Sequence, residues 1–121
     1  MSSPRIIRWL AAAALAAATC LAQAQDFPSR PLTLVAPYPP GSATDNVARP
    51  LALALQEILG QPVIVDNRAG AQGTIGADYV ARAKPDGYTV LIASTTMFAG
   101  TSLMKSLPYD PIKSFQPVSG V

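Results

Sequence analysis

The residues best suited to chemistry lie in a short turn, PYPPGSATD, at positions 37–45. An apolar run precedes this turn and a segment with helical spacing follows it, so the first amide groups of a helix should face it. Such amides lack partners within the helix, carry partial positive charge and bind anions, including carboxylates. We name residues 37–45 the first corner and predict that it binds a small anion.

The first corner also has a purely structural interpretation. Ser42 and Asp45 are spaced as in a capping box, in which the Ser42 hydroxyl accepts from the Asp45 amide and the Asp45 carboxylate accepts from the Ser42 amide. A capped helix start is worth about 1 kcal/mol without any ligand. Pro39 and Pro40 stiffen the corner, and Gly41 leaves its backbone open to a ligand, which shifts the balance toward binding.

A second corner, residues 66–76, is rich in glycine but is not a nucleotide loop. Gln72 stands where a dinucleotide fingerprint needs its middle glycine, and the chain has no phosphate-binding loop that ends in Gly-Lys-Ser or Gly-Lys-Thr. Two interpretations stay open for this segment. Its glycines either allow a helix to pack closely at Gly76 or line a cleft.

A third corner, residues 94–102, begins with three hydroxyl side chains directly after a predicted strand. They belong to Ser94, Thr95 and Thr96. Serine and threonine commonly cap helices, so their position alone favours a binding role only modestly.

Residues for catalysis are scarce. The chain has no histidine and a single cysteine, Cys20, which lies in the leader described below, so Ser–His and Cys–His nucleophile systems are excluded from the visible chain. Asp45, Asp66 and Asp78 are too dispersed to predict a metal cluster. We therefore expect no catalytic residue, no metal and no cofactor, and a protein that holds a ligand rather than converting it.

The elements that must position the corners are three strands and two helices. Short apolar runs predict strands at residues 32–36, 63–65 and 88–93. Helix one follows the first corner and stops at Gly60. Helix two follows the second corner, and its apolar stripe comprises Ile75, Tyr79, Val80 and Ala83.

The alternation of these elements predicts an α/β fold with βαβαβ order. Consecutive strands joined by helices form a parallel sheet with right-handed crossovers. Such a sheet brings the carboxyl ends of its strands, and hence all three corners, to one edge. Ligands of open α/β sheets bind at that edge.

Residues 1–24 are predicted to be a secretory signal peptide. Two early arginines precede an apolar, alanine-rich run, and Ala22-Gln23-Ala24 has the small-x-small form of a cleavage site. The run is shorter than the roughly 20 residues of a transmembrane helix. We expect cleavage after Ala24, export, and no membrane insertion of the mature chain; a lipoprotein acylated on Cys20 is the competing interpretation.

The mature segment, residues 25–121, carries no net charge. Two of the nine lysines and arginines lie in the leader, which leaves seven against seven acidic residues. Because these cations are scattered, no nucleic-acid partner is expected. Removing 24 residues from 121 leaves 97, enough for one small domain at most. We interpret the chain as the N-terminal part of a longer protein; a natural short protein is the alternative.

Three segments together carry a family resemblance across essentially the whole mature chain. They are FPSRPLTLVAPYPPGSATDNVAR, LGQPVIVDNRAGAQGTIGADYVARAKPDGYTVLIAS and LPYDPIKSFQPVSGV. The chain resembles the Bug-type substrate-binding proteins of tripartite tricarboxylate transporters. The resemblance implies a periplasmic binding protein of the type II class, with two α/β lobes that close on a small organic carboxylate and deliver it to membrane permease subunits. Residues 25–121 would then form part of the first lobe, with the second lobe absent.

The resemblance also implies which residues contact the ligand, in the loops after strands one and three. They are Tyr38, Pro40, Gly41, Ser42, Ala43, Thr44 and Asp45, together with Ser94, Thr95 and Thr96. Ser42 replaces the second glycine of the family's usual Pro-Pro-Gly-Gly, and Ala69 replaces a proline in the second corner. The alternative function is the N-terminal part of an exported α/β enzyme whose catalytic residues lie beyond Val121.

Overall fold

The computed structural model describes residues 26–101 and 106–120, in which strands and helices alternate. The elements are β1 (Leu32–Ala36), α1 (Ala43–Leu59), β2 (Val63–Asn67), a 3₁₀ turn (Ala71–Gly73), α2 (Thr74–Ala81), β3 (Thr89–Leu91) and α3 (Thr95–Thr101).

The three strands form one parallel sheet in the order β2-β1-β3. In the register of the sheet, Leu34 of β1 lies opposite Val65 of β2 on one side and Val90 of β3 on the other. β1 is central because its LTLVA sequence is apolar almost throughout, as a strand covered on both faces requires. The predicted α/β fold with βαβαβ order is confirmed.

The core consists of two clusters on opposite faces of the sheet, as the alternation of side chains along the strands requires. The first joins Leu34 and Ala36 of β1 to Ala48 and Ala52 of α1 and to Ile92. Small alanines at the contact allow α1 to pack closely on the sheet. The second cluster contains Ala77 of α2, Met97 of α3 and Tyr109, so the segment after α3 returns to pack on α2.

Both ends of α1 follow from local sequence. Ser42 caps its start, and Gly60 ends it in the left-handed conformation at φ 65°, with the Gly60 amide donating to the Gln56 carbonyl at 3.0 Å. The predicted stop at Gly60 is confirmed.

The predicted apolar stripe of α2 is wrong as a guide to the buried face. Ile75 and Tyr79 are 53% and 40% exposed, whereas Gly76 and Ala77 are buried. The small residues face inward because α2 lies so close to the first corner that a Cβ on Gly76 would be 2.9 Å from Cβ of Pro37. The Tyr79 ring instead lies under the Arg68 guanidinium, 3.5 Å from Cζ of that arginine to the ring centroid.

Three other boundaries differ from prediction. β2 extends two residues further, to Asn67, and β3 is shorter than the predicted strand 88–93. Most of the third corner is helical, because α3 begins at Thr95. The helical turns predicted at Leu103 and Met104 lie outside the described residues.

Within the part of the chain that the structure describes, no helix combines the length and the apolarity needed to cross a membrane.

Candidate ligand-binding site

The first and third corners meet at the carboxyl edge of the sheet and enclose a shallow cavity of about 240 Å³. The cavity is lined by Tyr38, Ser42, Ala43, Thr44, Ser94 and Thr96. The structure thus brings six of the predicted contact residues together. Pro40 and Gly41 are exposed beside the cavity, Thr95 is exposed on α3, and Asp45 is buried.

The cap at the start of α1 has half of the predicted geometry. Oγ of Ser42 accepts from the Asp45 amide at 3.3 Å, as predicted. The prediction of a reciprocal bond from the Ser42 amide to the Asp45 carboxylate is wrong, because the Ser42 amide donates to the Pro39 carbonyl at 3.1 Å. The Asp45 carboxylate accepts instead from the Gly41 amide, at 2.9 Å. Because the Ser42 amide is used in the turn with Pro39, the Asp45 carboxylate accepts from the preceding residue, Gly41.

The first two residues of α1, Ala43 and Thr44, line the cavity. In residues 26–101 and 106–120, neither of their amides donates to another residue, as expected in the first turn of a helix. The partial positive charge of the helix start adds to these donors.

Two residues of the third corner with hydroxyl side chains, Ser94 and Thr96, also line the cavity. Oγ of Ser94 and Oγ1 of Thr96 are hydrogen-bonded to each other at 2.8 Å. Two hydroxyls that share one bond use one of their two protons in it, which leaves the other proton for a ligand. Among the described residues that line the cavity there is no lysine or arginine, so the anion-binding groups that they offer are amides and hydroxyls.

Asp45 lies behind the cavity wall rather than in it. The residue is 2% exposed, and its carboxylate accepts from Nε of Arg49 at 2.8 Å, the Gly41 amide at 2.9 Å and Nδ2 of Asn67 at 2.9 Å. These donors, Arg49 first, lower the pKa of Asp45 from 3.8 to about 2. The carboxylate is therefore ionised at neutral pH.

Asn67 is a functional candidate that sequence reasoning missed. Its Nδ2 donates to the Tyr38 carbonyl at 3.1 Å as well as to Asp45, so it connects the end of β2 to the first corner. Oδ1 of Asn67 also accepts from Nη2 of Arg49 at 3.4 Å. The only sequence signal was an asparagine after an apolar strand, which does not identify a partner 22 residues away.

The glycines of the second corner serve close packing, the first of the two interpretations left open. A Cβ on Gly76 would lie 3.0 Å from the Arg68 carbonyl oxygen, and a Cβ on Gly73 would lie 3.2 Å from Sδ of Met97. Gly73 also adopts φ 92°, which L side chains rarely adopt. The second corner therefore connects the first corner to α3 and contributes no residue to the wall of the 240 Å³ cavity.

A larger depression, of about 660 Å³, lies along α2. It reaches Thr89 at the start of β3, the end of the sheet opposite the first corner, and contains four cationic side chains. Three of them are paired: Arg30 with Asp86, Arg68 with Asp66, and Arg82 with Asp78. This depression is the weaker candidate, because three of its four cations are paired and none of the residues predicted to contact the ligand lines it.

No group of three or more potential metal ligands occurs among the residues that the structure describes.

Comparison with known protein families gives a match over residues 47–121, to the tripartite tricarboxylate transporter family receptor model. Protein BugT from Bordetella pertussis is 49% identical over 100 residues, which cover 81% of this chain and 31% of BugT. The chain spans about a third of the length of the curated relatives it matches.

Solved structures with similar folds include two from Rhodopseudomonas palustris. MatC with bound malate is 41% identical with a TM-score of 0.72, over 76% of this chain and 32% of MatC. Rpa4515 with adipate is 47% identical with a TM-score of 0.55, over 56% of this chain and 23% of that protein. Both similarities involve sequence as well as fold.

Proposed function

The chain belongs to the tripartite tricarboxylate transporter receptor family, and from this we propose that the protein is the periplasmic substrate-binding component of such a transporter. It captures a small organic carboxylate and delivers the acid to the membrane permease subunits of the transporter. Binding proceeds without chemical conversion, in keeping with a family of receptors.

One observation carries this proposal. Ala43 and Thr44, whose amides donate to no other group among the described residues, line the same small cavity as Ser94 and Thr96, whose hydroxyls are hydrogen-bonded to each other. A carboxylate has two oxygens, which accept several hydrogen bonds in one plane. One of its oxygens is suited to the helix amides and the other to the hydroxyl pair, and no cationic side chain is among the described residues that line the cavity.

The similar structures support the choice of ligand class. MatC holds malate and Rpa4515 holds adipate, which differ in chain length and in hydroxylation but share carboxylate groups. We propose that the cavity at the first corner receives one such group. The rest of the acid would be recognised by parts of the protein beyond the roughly one third that this chain represents.

Calorimetric titration of the full-length protein tests this function. The panel comprises malate, succinate, adipate and citrate, with the corresponding amides as uncharged controls of matched shape. We expect at least one acid to bind and its amide to bind at least about tenfold more weakly, a difference of ~1.4 kcal/mol. Binding of an amide as tight as that of its acid, or of none of the acids, would contradict the proposal.

A further inference from the structure

We propose that Asp45 and Asn67 are positioning residues, which hold the first corner in its binding shape through hydrogen bonds and do not touch the ligand. The inference rests on the proposed function and changes the role that the sequence predicts for Asp45. Asp45 then acts through Gly41, and Asn67 acts through Tyr38.

The polar atoms of the two side chains are hydrogen-bonded to other groups of the protein. Oδ2 of Asp45 accepts from the Gly41 amide and from Nε of Arg49, and Oδ1 accepts from Asn67. Nδ2 of Asn67 has two protons, and both are used, one on Asp45 and one on the Tyr38 carbonyl. Neither residue lines the 240 Å³ cavity. Their polar groups are therefore committed to the protein.

The hydrogen bonds to the Tyr38 carbonyl and from the Gly41 amide fix the backbone on the two sides of Pro39 and Pro40. Tyr38 precedes Pro39 and Pro40, and Gly41 follows them. Tyr38 lines the cavity itself, and Gly41 directly precedes Ser42, the cap of α1. A shift at either point would move a cavity residue.

The composition of the first corner explains why side chains, rather than backbone groups, hold its shape. Proline has no amide proton, so Pro37, Pro39 and Pro40 remove three backbone donors from the corner. Gly41 is at φ 81°, one of several regions open to glycine. Prolines alone do not select the Gly41 conformation, whereas a hydrogen bond from its amide to a buried carboxylate does.

The chain provides a matched control on the next helix. Asp78 and Arg82 form the same i,i+4 pair, with Nε of Arg82 2.9 Å from Oδ1 of Asp78. The Asp78 side chain is 26% exposed and that of Asp45 is 3% exposed, and the Asp78–Arg82 pair lies at the end of α2, outside the lining of the cavity. Loss of an aspartate–arginine pair as such can thus be separated from loss of the first-corner contacts.

The experiment compares Asp45→Asn, Asn67→Ala, the double variant and Asp78→Asn in the full-length protein. Malate and adipate are titrated at a temperature where melting curves show every variant folded. We expect each first-corner variant to weaken binding at least about tenfold, and Asp78→Asn to change it less than about twofold. The double variant should bind more weakly than either single variant, but its fold-loss of affinity should be smaller than the product of the two single-variant losses. The two substitutions break one hydrogen-bond network, so their effects do not simply add in free energy.

The direction of the Asp45→Asn effect separates positioning from direct contact. A carboxylate that faced the bound acid would repel it, so its neutralisation would tighten binding. Positioning predicts weaker binding from the same substitution. Tighter binding, or unchanged binding in both single variants, would overturn the proposal.

Amide NMR spectra without ligand give an independent measurement. The Gly41 amide should shift in Asp45→Asn, and the signals of residues 38 and 41–44 should shift or broaden in both single variants but not in Asp78→Asn. General loss of stability would not select these signals. If no acid of the calorimetric panel binds the unaltered protein, the proposed ligand class is wrong while the spectra still decide the positioning role. Unchanged Gly41 signals in Asp45→Asn would contradict positioning even where the affinity falls.

Discussion

Pro37 occupies the space in which a side chain of Gly76 would lie, which brings the start of the second helix close to the first corner. An ideal Cβ on Gly76 would be 2.9 Å from Cβ and 3.0 Å from Cα of Pro37. Pro37 is itself fully buried. The contact explains why the inner face of α2 consists of glycine and alanine rather than of its larger apolar residues.

The Gly76→Ala substitution should destabilise the protein. A methyl group there meets two backbone atoms, the Arg68 carbonyl oxygen and Cα of Pro37, which a side-chain rotation cannot relieve. Overpacking of this kind costs about 1–3 kcal/mol, which exceeds the ~1 kcal/mol that alanine gains over glycine in a helix. Urea unfolding measures the difference. Equal stability of Gly76→Ala and the unaltered protein would refute the close packing.

Acid should weaken the fold through Asp45. Hydrogen bonds from Arg49, Gly41 and Asn67 lower the pKa of its carboxyl from 3.8 to about 2. Between these values the unfolded chain binds more protons than the folded one, so stability is complete above the unfolded pKa and falls as the pH drops toward about 2. The free energy of unfolding, measured in urea from about pH 5 to 2.5, should therefore decrease less steeply in Asp45→Asn than in the unaltered protein.

A second carboxyl gives both proteins some acid sensitivity. The amides of Lys113 and Ile112 lower the pKa of Asp110, which contributes acid sensitivity of the same sign. The Asp45→Asn variant should thus retain some dependence on pH. Identical slopes for the two proteins would show that Asp45 is not held in its ionised form by the fold.

Local patterns account for most of the fold and for one wall of the site. The cap at Ser42 and the stop at Gly60 depend on residues within a few positions of each other. The βαβαβ order depends on apolar runs separated by turn residues. These features are readable because each is decided by short-range chemistry, and the edge at which the first and third corners meet then follows from the parallel sheet.

The contacts that hold the corner in place could not be read in the same way. Asn67 reaches Asp45 only because β2 continues two residues past its apolar run, and the partner lies 22 residues earlier. The buried face of α2 is set by Pro37, in a different corner, rather than by the helix's own hydrophobic residues. The Asn67–Asp45 contact and the buried face of α2 both depend on contacts between residues far apart in the sequence, which no local sequence pattern indicates.

The predicted signal peptide determines the residue at which the mature protein should begin. The arginines of the leader and the Ala22-Gln23-Ala24 sequence predict cleavage after Ala24, in a segment outside the described residues. N-terminal sequencing of protein from the periplasmic fraction should begin at Gln25. A mature chain that begins at an acylated Cys20, detected by mass spectrometry as a lipid-sized addition, would contradict both the cleavage site and the free periplasmic form.

The last prediction concerns Gly41, where the reason for glycine is conformational. A Cβ at Gly41 would have nothing within 4 Å, but its φ is 81°. Alanine loses roughly 1–2 kcal/mol in left-handed backbone, so Gly41→Ala should relax toward another conformation and draw the Gly41 amide away from Asp45. The cap and the Ala43 and Thr44 amides would then move, and titration with malate or adipate should show binding weakened by about tenfold or more, ~1.4 kcal/mol.

Gly60→Ala is the matched control, because Gly60 also has positive φ and open space but ends α1 far from the cavity. It should lower the melting temperature while leaving the affinity unchanged at matched folded fraction. If both variants lose the same stability and neither loses affinity, the shape of the first corner does not set binding. The hydroxyls of Ser94 and Thr96 would then be the remaining contacts in the cavity, and the stiff turn at residues 37–45 would serve only to start α1.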